Sequence, residues 1–149
     1  MYDQILRQIA ATMQSYGYQL QPPCSREKLN ELHQRIRDEL AVEPQDAHMA
    51  FLAKANGLNW NGLTIYASER TPIVGFDDRF IDGVVEANLD HREYPAMREV
   101  FVLAEDDVAM FVFDAKSQEY QVRTNISLDV LESYTSFDEM MKNALAEHQ

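Results

Sequence analysis

Two short acidic clusters, Asp77-Asp78 and Glu105-Asp106-Asp107, are the first places where this chain could do chemistry. Carboxylates hold hard cations, move protons or grip a basic partner. Calcium loops space their ligands at alternate positions around a central glycine, and neither cluster does so. A carboxylate pair for acid–base work is defined by separation in space, which one sequence does not give, so Glu105 and Asp107 stay open in that role. The four histidines, His33, His48, His91 and His148, are scattered, and none stands at metal-ligand spacing from another. There is no HExxH, paired CxxC, P-loop, GxGxxG or GxSxG. Cys24, beside Pro23, has no neighbour in sequence that would activate a thiolate, and is read as structural. These residues call for no metal and no cofactor, and they give an enzyme no positive support. Binding is the leading class.

Charge says what could be bound. The formal net charge is −12, and it is unevenly placed. Residues 1–75 carry seven basic and eight acidic side chains, whereas residues 76–149 carry six and seventeen. Such a field repels phosphate backbones and speaks against direct nucleic-acid binding. It attracts a basic partner, or it serves only solubility. The composition alone does not choose between these.

The elements that must position these residues can be read from spacing. Ile5, Leu6, Ile9, Met13 and Tyr16 form the apolar side of a helix over 2–16, stopped by Gly17 and Pro22-Pro23. Ser25 offers an N-cap for a second helix, with Leu29, Leu32, Ile36 and Leu40 at helical spacing. Pro44 and Asp46 open a third, shorter helix, expected to end at Asn56-Gly57 in a left-handed cap. Leu63–Ala67 reads as a strand, 68–79 as loop and 80–92 as a helix in spite of Gly83. The apolar runs 99–104 and 108–113 form a hairpin around Glu105-Asp106-Asp107, and a third strand covers 119–124. Both runs are apolar on both faces, so helices must cover part of each side of the sheet. Ser136 and Glu139 fit a capping box that opens a last helix.

The expectation is one α+β domain over 1–149: N-terminal helices, a mainly antiparallel sheet and a C-terminal helix. No apolar run approaches the roughly 18–20 residues that span a bilayer. The N-terminal stretch is broken by Asp3, Gln4, Arg7 and Gln8, unlike a secretory h-region. With a single cysteine, a reducing cytoplasm is expected.

The densest local signal is Lys54–Tyr66, KANGLNWNGLTIY, with two Asn-Gly pairs and the only tryptophan. Trp60 could offer a flat amphipathic surface to a ligand, or pack under a helix–strand corner while the asparagines bond local backbone. The turn residues around it favour packing.

The order of these features resembles the YrhA-type branch of the SUKH superfamily, a group of small α+β proteins. The resemblance runs from about Phe51 to Leu145. Its most specific part is Asn56, Gly57, Trp60, Gly62 and Tyr66 in their setting, and its second is Ser136–Met140. It implies a non-enzymatic immunity protein that binds and neutralises a cognate bacterial toxin, many such toxins being nucleases. It brings no catalytic residues. Beside it, the acidic loops become candidate partner contacts: Asp77, Asp78, Glu105, Asp106 and Asp107, facing a basic toxin domain. The alternative is a general protein- or ligand-binding module with a pocket near Trp60 and Tyr66.

Overall fold

In the computed structural model, which describes residues 1–149, the first helix follows its apolar spacing. Along α1 (Asp3–Ser15), Leu6, Ile9 and Met13 are buried. Tyr16 falls beyond the helix and is 70% exposed. Tyr2 takes a core place instead, its ring beside those of Phe51 and Phe137. The Ser25 hydroxyl accepts the Lys28 N–H at 3.2 Å and opens α2 (Arg26–Leu40), as its position predicts.

The third helix, α3 (Asp46–Leu52), stops before the expected Asn56-Gly57 cap. Ala53 closes it in a right-handed conformation, and the Lys54 and Ala55 N–H groups both return to the Phe51 carbonyl. Gly57 serves the next element. Its φ is +89°, and a Cβ there would stand 2.9 Å from the Ile65 carbonyl oxygen. Only glycine fits this approach. It lets the chain enter β1 (Leu58–Trp60), a strand unforeseen in the sequence, which pairs with β2 (Leu63–Ile65) across Asn61-Gly62. Both turn residues have positive φ, +47° and +84°, the left-handed pair that a two-residue hairpin turn requires.

The region read as loop and then helix contains a small second sheet. Strands β3 (Thr71–Pro72) and β4 (Phe80–Ile81) pair antiparallel, so Phe80 and Ile81 are not helical. The helix begins later, as α4 (Val84–His91), with Gly83 as its N-cap. A Cβ on Gly83 would lie 2.8 Å from the Glu69 Cα. That glycine marks close backbone packing, and the expected 80–92 helix is shortened to Val84–His91.

A single 3-10 turn, Pro95–Met97, leads into the meander β5 (Val100–Glu105), β6 (Ala109–Asp114), β7 (Glu119–Thr124) and β8 (Val130–Tyr134). The first three strands follow the sequence reading. The fourth is an edge strand whose residues are mostly exposed, so it carries little apolar pattern to betray it. Ser136 then opens α5 (Phe137–Glu147) by accepting the Glu139 N–H at 3.1 Å.

The main sheet runs β1-β2-β5-β6-β7-β8, antiparallel throughout. Its two faces differ. Phe101, Phe113 and Tyr120 align across β5, β6 and β7, and Phe137 of α5 meets Tyr120 at 6.0 Å between ring centroids. On the opposite face, Asn88 of α4 clamps β5: its amide donates to the Val102 carbonyl at 2.8 Å and its oxygen accepts the Val102 N–H at 2.7 Å. The fold is therefore α+β, with helices at both ends of the chain and against both faces of the sheet. No helix is long and apolar enough to cross a membrane.

Candidate functional site

The β1–β2 hairpin decides where Trp60 and Tyr66 go. Side chains alternate along a strand, and residues directly opposite one another share a face. Trp60 pairs with Leu63 and lies on the α1 side, while Thr64 and Tyr66 lie on the α4 side. The two aromatic residues therefore lie on opposite faces and share no cleft: Trp60 lines a hollow and Tyr66 is buried.

Trp60 is half-buried, not tucked beneath the corner. It meets Tyr16 and Tyr18, each at 6.4 Å between ring centroids, and Tyr18 stacks on Phe76 at 5.7 Å. Tyr18, Trp60 and Phe76, together with Met13 and Arg79, line a cleft of about 170 Å³. Arg79 lies over Phe76 at 4.9 Å and donates to the Asn59 side chain at 3.0 Å, so the cleft has one cationic wall. The Trp60 indole and the Asn61 amide donate to the carbonyls of Gln149 and His148, which holds the hairpin tip against the chain beyond α5.

The five acidic candidates separate into three situations. Asp77 and Asp78 are exposed in the β3–β4 connection, just after Phe76 of the aromatic cleft. Asp107 is exposed in the β5–β6 turn, its carboxylate 3.8 Å from where a Gly62 Cβ would stand. These two groups flank the same hairpin. Asp106 is committed to structure: its carboxylate accepts the Val108 and Ala109 N–H groups at 2.9 and 2.8 Å and meets His148 at 3.2 Å. Both side chains of that pair are only 13% exposed. Glu105 is not in a loop. It is the last residue of β5, half-buried and opposite Thr64, so it faces the α4 side with Tyr66.

There Tyr66 shares a hydrogen bond of 3.2 Å with His91 Nε2. Burial, and then the Glu105 carboxylate beside it, push the Tyr66 hydroxyl above the ordinary tyrosine range. His91, Glu105 and Met110 line a second hollow of about 390 Å³. Cys24 is buried, and its N–H bonds the Leu52 carbonyl at 2.8 Å, which places it in the core. No three His, Cys, Asp or Glu side chains converge as a metal-ligand set.

Sequence reasoning did not single out Tyr18, Phe76, Arg79 or His91 for these hollows. Each meets its partner across a long loop or a whole element, and no local spacing announces such a meeting. Only the Asn61-Gly62 pair, with its turn chemistry, was legible here, and it forms the turn of the β1–β2 hairpin. No family model matches the chain, and no curated protein matches it.

Proposed function

We propose that this chain is a non-enzymatic, cytoplasmic immunity protein of the SUKH kind, which binds a cognate bacterial toxin domain and neutralises it. The contact set is Asp77, Asp78, Glu105, Asp106 and Asp107, with the exposed carboxylates of Asp77, Asp78 and Asp107 meeting the partner first.

The observation that carries this reading is the distribution of uncompensated charge. Among residues 1–75, Asp3, Glu39, Glu43 and Glu69 each lie within 4 Å of a cationic group, which is half of the eight acids there. Of the seventeen acids in residues 76–149, only Glu86 and Asp114 do so, and Asp106 lies beside the His148 ring. The remaining carboxylates project a negative field with no internal counterpart. A basic toxin domain supplies that counterpart, and complementary fields raise encounter rates and suppress wrong partners.

The test is co-purification with the product of the adjacent upstream gene, followed by association kinetics of the combined Asp77→Lys, Asp78→Lys, Asp107→Lys variant. Association should slow by about tenfold or more at low salt, and its salt dependence should shrink. A variant that associates like the parent would refute this choice of face.

The aromatic cleft favours a second reading, a protein- or ligand-binding module centred on Trp60. In that case Trp60→Ala abolishes binding while thermal unfolding stays close to the parent's. Loss of fold instead would assign Trp60 to structure.

A further inference from the structure

The hollow on the α4 side differs from the aromatic cleft in every chemical respect. It is lined by Glu105 and Met110 of the sheet, Met97 of the 3-10 turn, and Ile126 and Leu128 of the β7–β8 loop. His91 closes the inner end, tied by the Tyr66 hydroxyl. Two large apolar side chains stand in solvent at the mouth, Tyr94 at 72% exposure and Ile126 at 93%. The volume, about 390 Å³, lies within the ~300–1,000 Å³ typical of small-ligand sites, which pair apolar walls with a few directed polar groups.

We propose that this groove binds a small organic cation, an ammonium head carried on an aliphatic body. The head sits against Glu105 and the body runs between Met97, Met110 and Leu128. Charge selects the head. Glu105 is a half-buried carboxylate that forms no ion pair, although Arg123 stands directly across β6 from it in register, both being opposite Met110. Arg123 is turned away, bonded to Gln121 at 2.9 Å and to Asp114 at 3.4 Å. An apolar occupant would strip water from Glu105 and return nothing, which is costly for a charge, and a neutral hydroxyl would return a weaker hydrogen bond than a charged donor. An anion would meet repulsion from Glu105 and from the net charge of −12. A cation replaces the lost water with a charge-assisted hydrogen bond. The walls select the body: two methionine side chains are flexible and polarizable and adapt to an unbranched chain. The Tyr94 ring at the mouth offers its face to a cation on the way in.

This inference shares only Glu105 with the proposed toxin contacts, since none of Asp77, Asp78, Asp106 and Asp107 lines the groove. The experiment is a titration of the whole chain with n-hexylammonium, followed by methionine-methyl NMR, with hexanol and hexanoate as matched controls at constant ionic strength. The Met97 and Met110 methyl signals should move saturably with the ammonium, and those of Met13 and Met49 should not. Affinity should exceed that for hexanol by at least about tenfold, the scale of one charge-assisted bond. Glu105→Gln should erase that preference without changing the melting profile. Should Glu105→Gln fail to fold, Ile126→Lys at the exposed mouth gives an independent readout: it should weaken hexylammonium several-fold and leave hexanol unchanged. Equal shifts from hexanol or hexanoate, unmoved methyls at Met97 and Met110, or an Ile126→Lys effect equal for ammonium and alcohol would each overturn the proposal. Retention of ammonium binding in the Asp77, Asp78, Asp107 triple-lysine variant is expected, and this separates the site from the partner-binding face. Loss of ammonium binding in that variant would count against the proposal, since it would place recognition in the general field and not in the groove.

Discussion

His48 is a test of how far burial controls a titratable group in this core. It lies in α3 fully buried, edge-on to Phe101 with ring centroids 5.7 Å apart and 6.0 Å from Phe137, and neither ring nitrogen has a hydrogen-bond partner. Burial therefore drives its pKa down to about 4, from 6.5 in the unfolded chain. The folded state holds the neutral ring, and the unfolded state takes up the proton first as pH falls. Stability is unaffected above pH 6.5, declines through the window from 6.5 to about 4, and loses nothing further from this group below it. Each pH unit in that window costs about 1.4 kcal/mol, so between pH 7 and pH 5 the loss is about 2 kcal/mol. That is a large share of the roughly 5–15 kcal/mol that holds a domain folded. The measurement is urea unfolding of the parent and of His48→Leu at pH 7, 6 and 5. Leucine fills a similar volume and leaves no unpaired nitrogen, so the variant should match or exceed the parent at pH 7. Its advantage should then widen by about 2 kcal/mol at pH 5, a midpoint shift of about 1 M urea. Contributions from the rest of the chain are common to both proteins and cancel in the difference. Parallel pH profiles would refute the reasoning, because they would mean that the native core tolerates the imidazolium.

Four further substitutions test the scaffold. Gly57→Ala should destabilise by about 2–3 kcal/mol, because it combines positive-φ strain with a 2.9 Å contact to the Ile65 carbonyl oxygen. Gly17→Ala, with the same kind of φ and open space around it, should lose only about 1 kcal/mol in the same urea series. Asn88→Ala should lower stability by about 3 kcal/mol, since it strips partners from both backbone groups of buried Val102; amide hydrogen exchange at Val102 should accelerate with it. Asp106→Ala should cost about 1–2 kcal/mol by freeing the Val108 and Ala109 N–H groups, and the His148 ring resonances should report loss of its carboxylate neighbour.

The parts of the fold that were legible in the sequence are those whose cause is local. Ser25 and Ser136 cap helices through contacts three residues away, and the β5–β7 meander pairs neighbours through short turns. The parts that were not legible depend on distant partners. Strand β4 exists because Phe80 and Ile81 find Thr71 and Pro72, and β8 exists because β7 offers it an edge. In each case the backbone pairing outweighs an apolar pattern that points elsewhere or is too weak to read. The site follows the same rule. Asp77, Asp78 and Asp107 stayed exposed as loop chemistry suggested. Asp106 was claimed by amides two and three residues on, and Glu105 was carried into the sheet by the β5 register.

The hairpin in KANGLNWNGLTIY links these outcomes. A one-residue change in its register would move every side chain to the other face. Trp60 would then leave the cleft with Tyr18, and Tyr66 would leave His91. The Asn61-Gly62 turn fixes that register by a backbone conformation few other pairs accept. Each neighbouring element then gains a defined place: Arg79 finds Asn59, the Asp107 carboxylate settles by Gly62, and Glu105 lies opposite Thr64. The same short turn thus sets an aromatic cleft on one face, a carboxylate-lined groove on the other, and exposed acids between them. Two hollows of opposite character are a direct consequence of strand alternation in one hairpin, and a change at Asn61 or Gly62 should disturb both together.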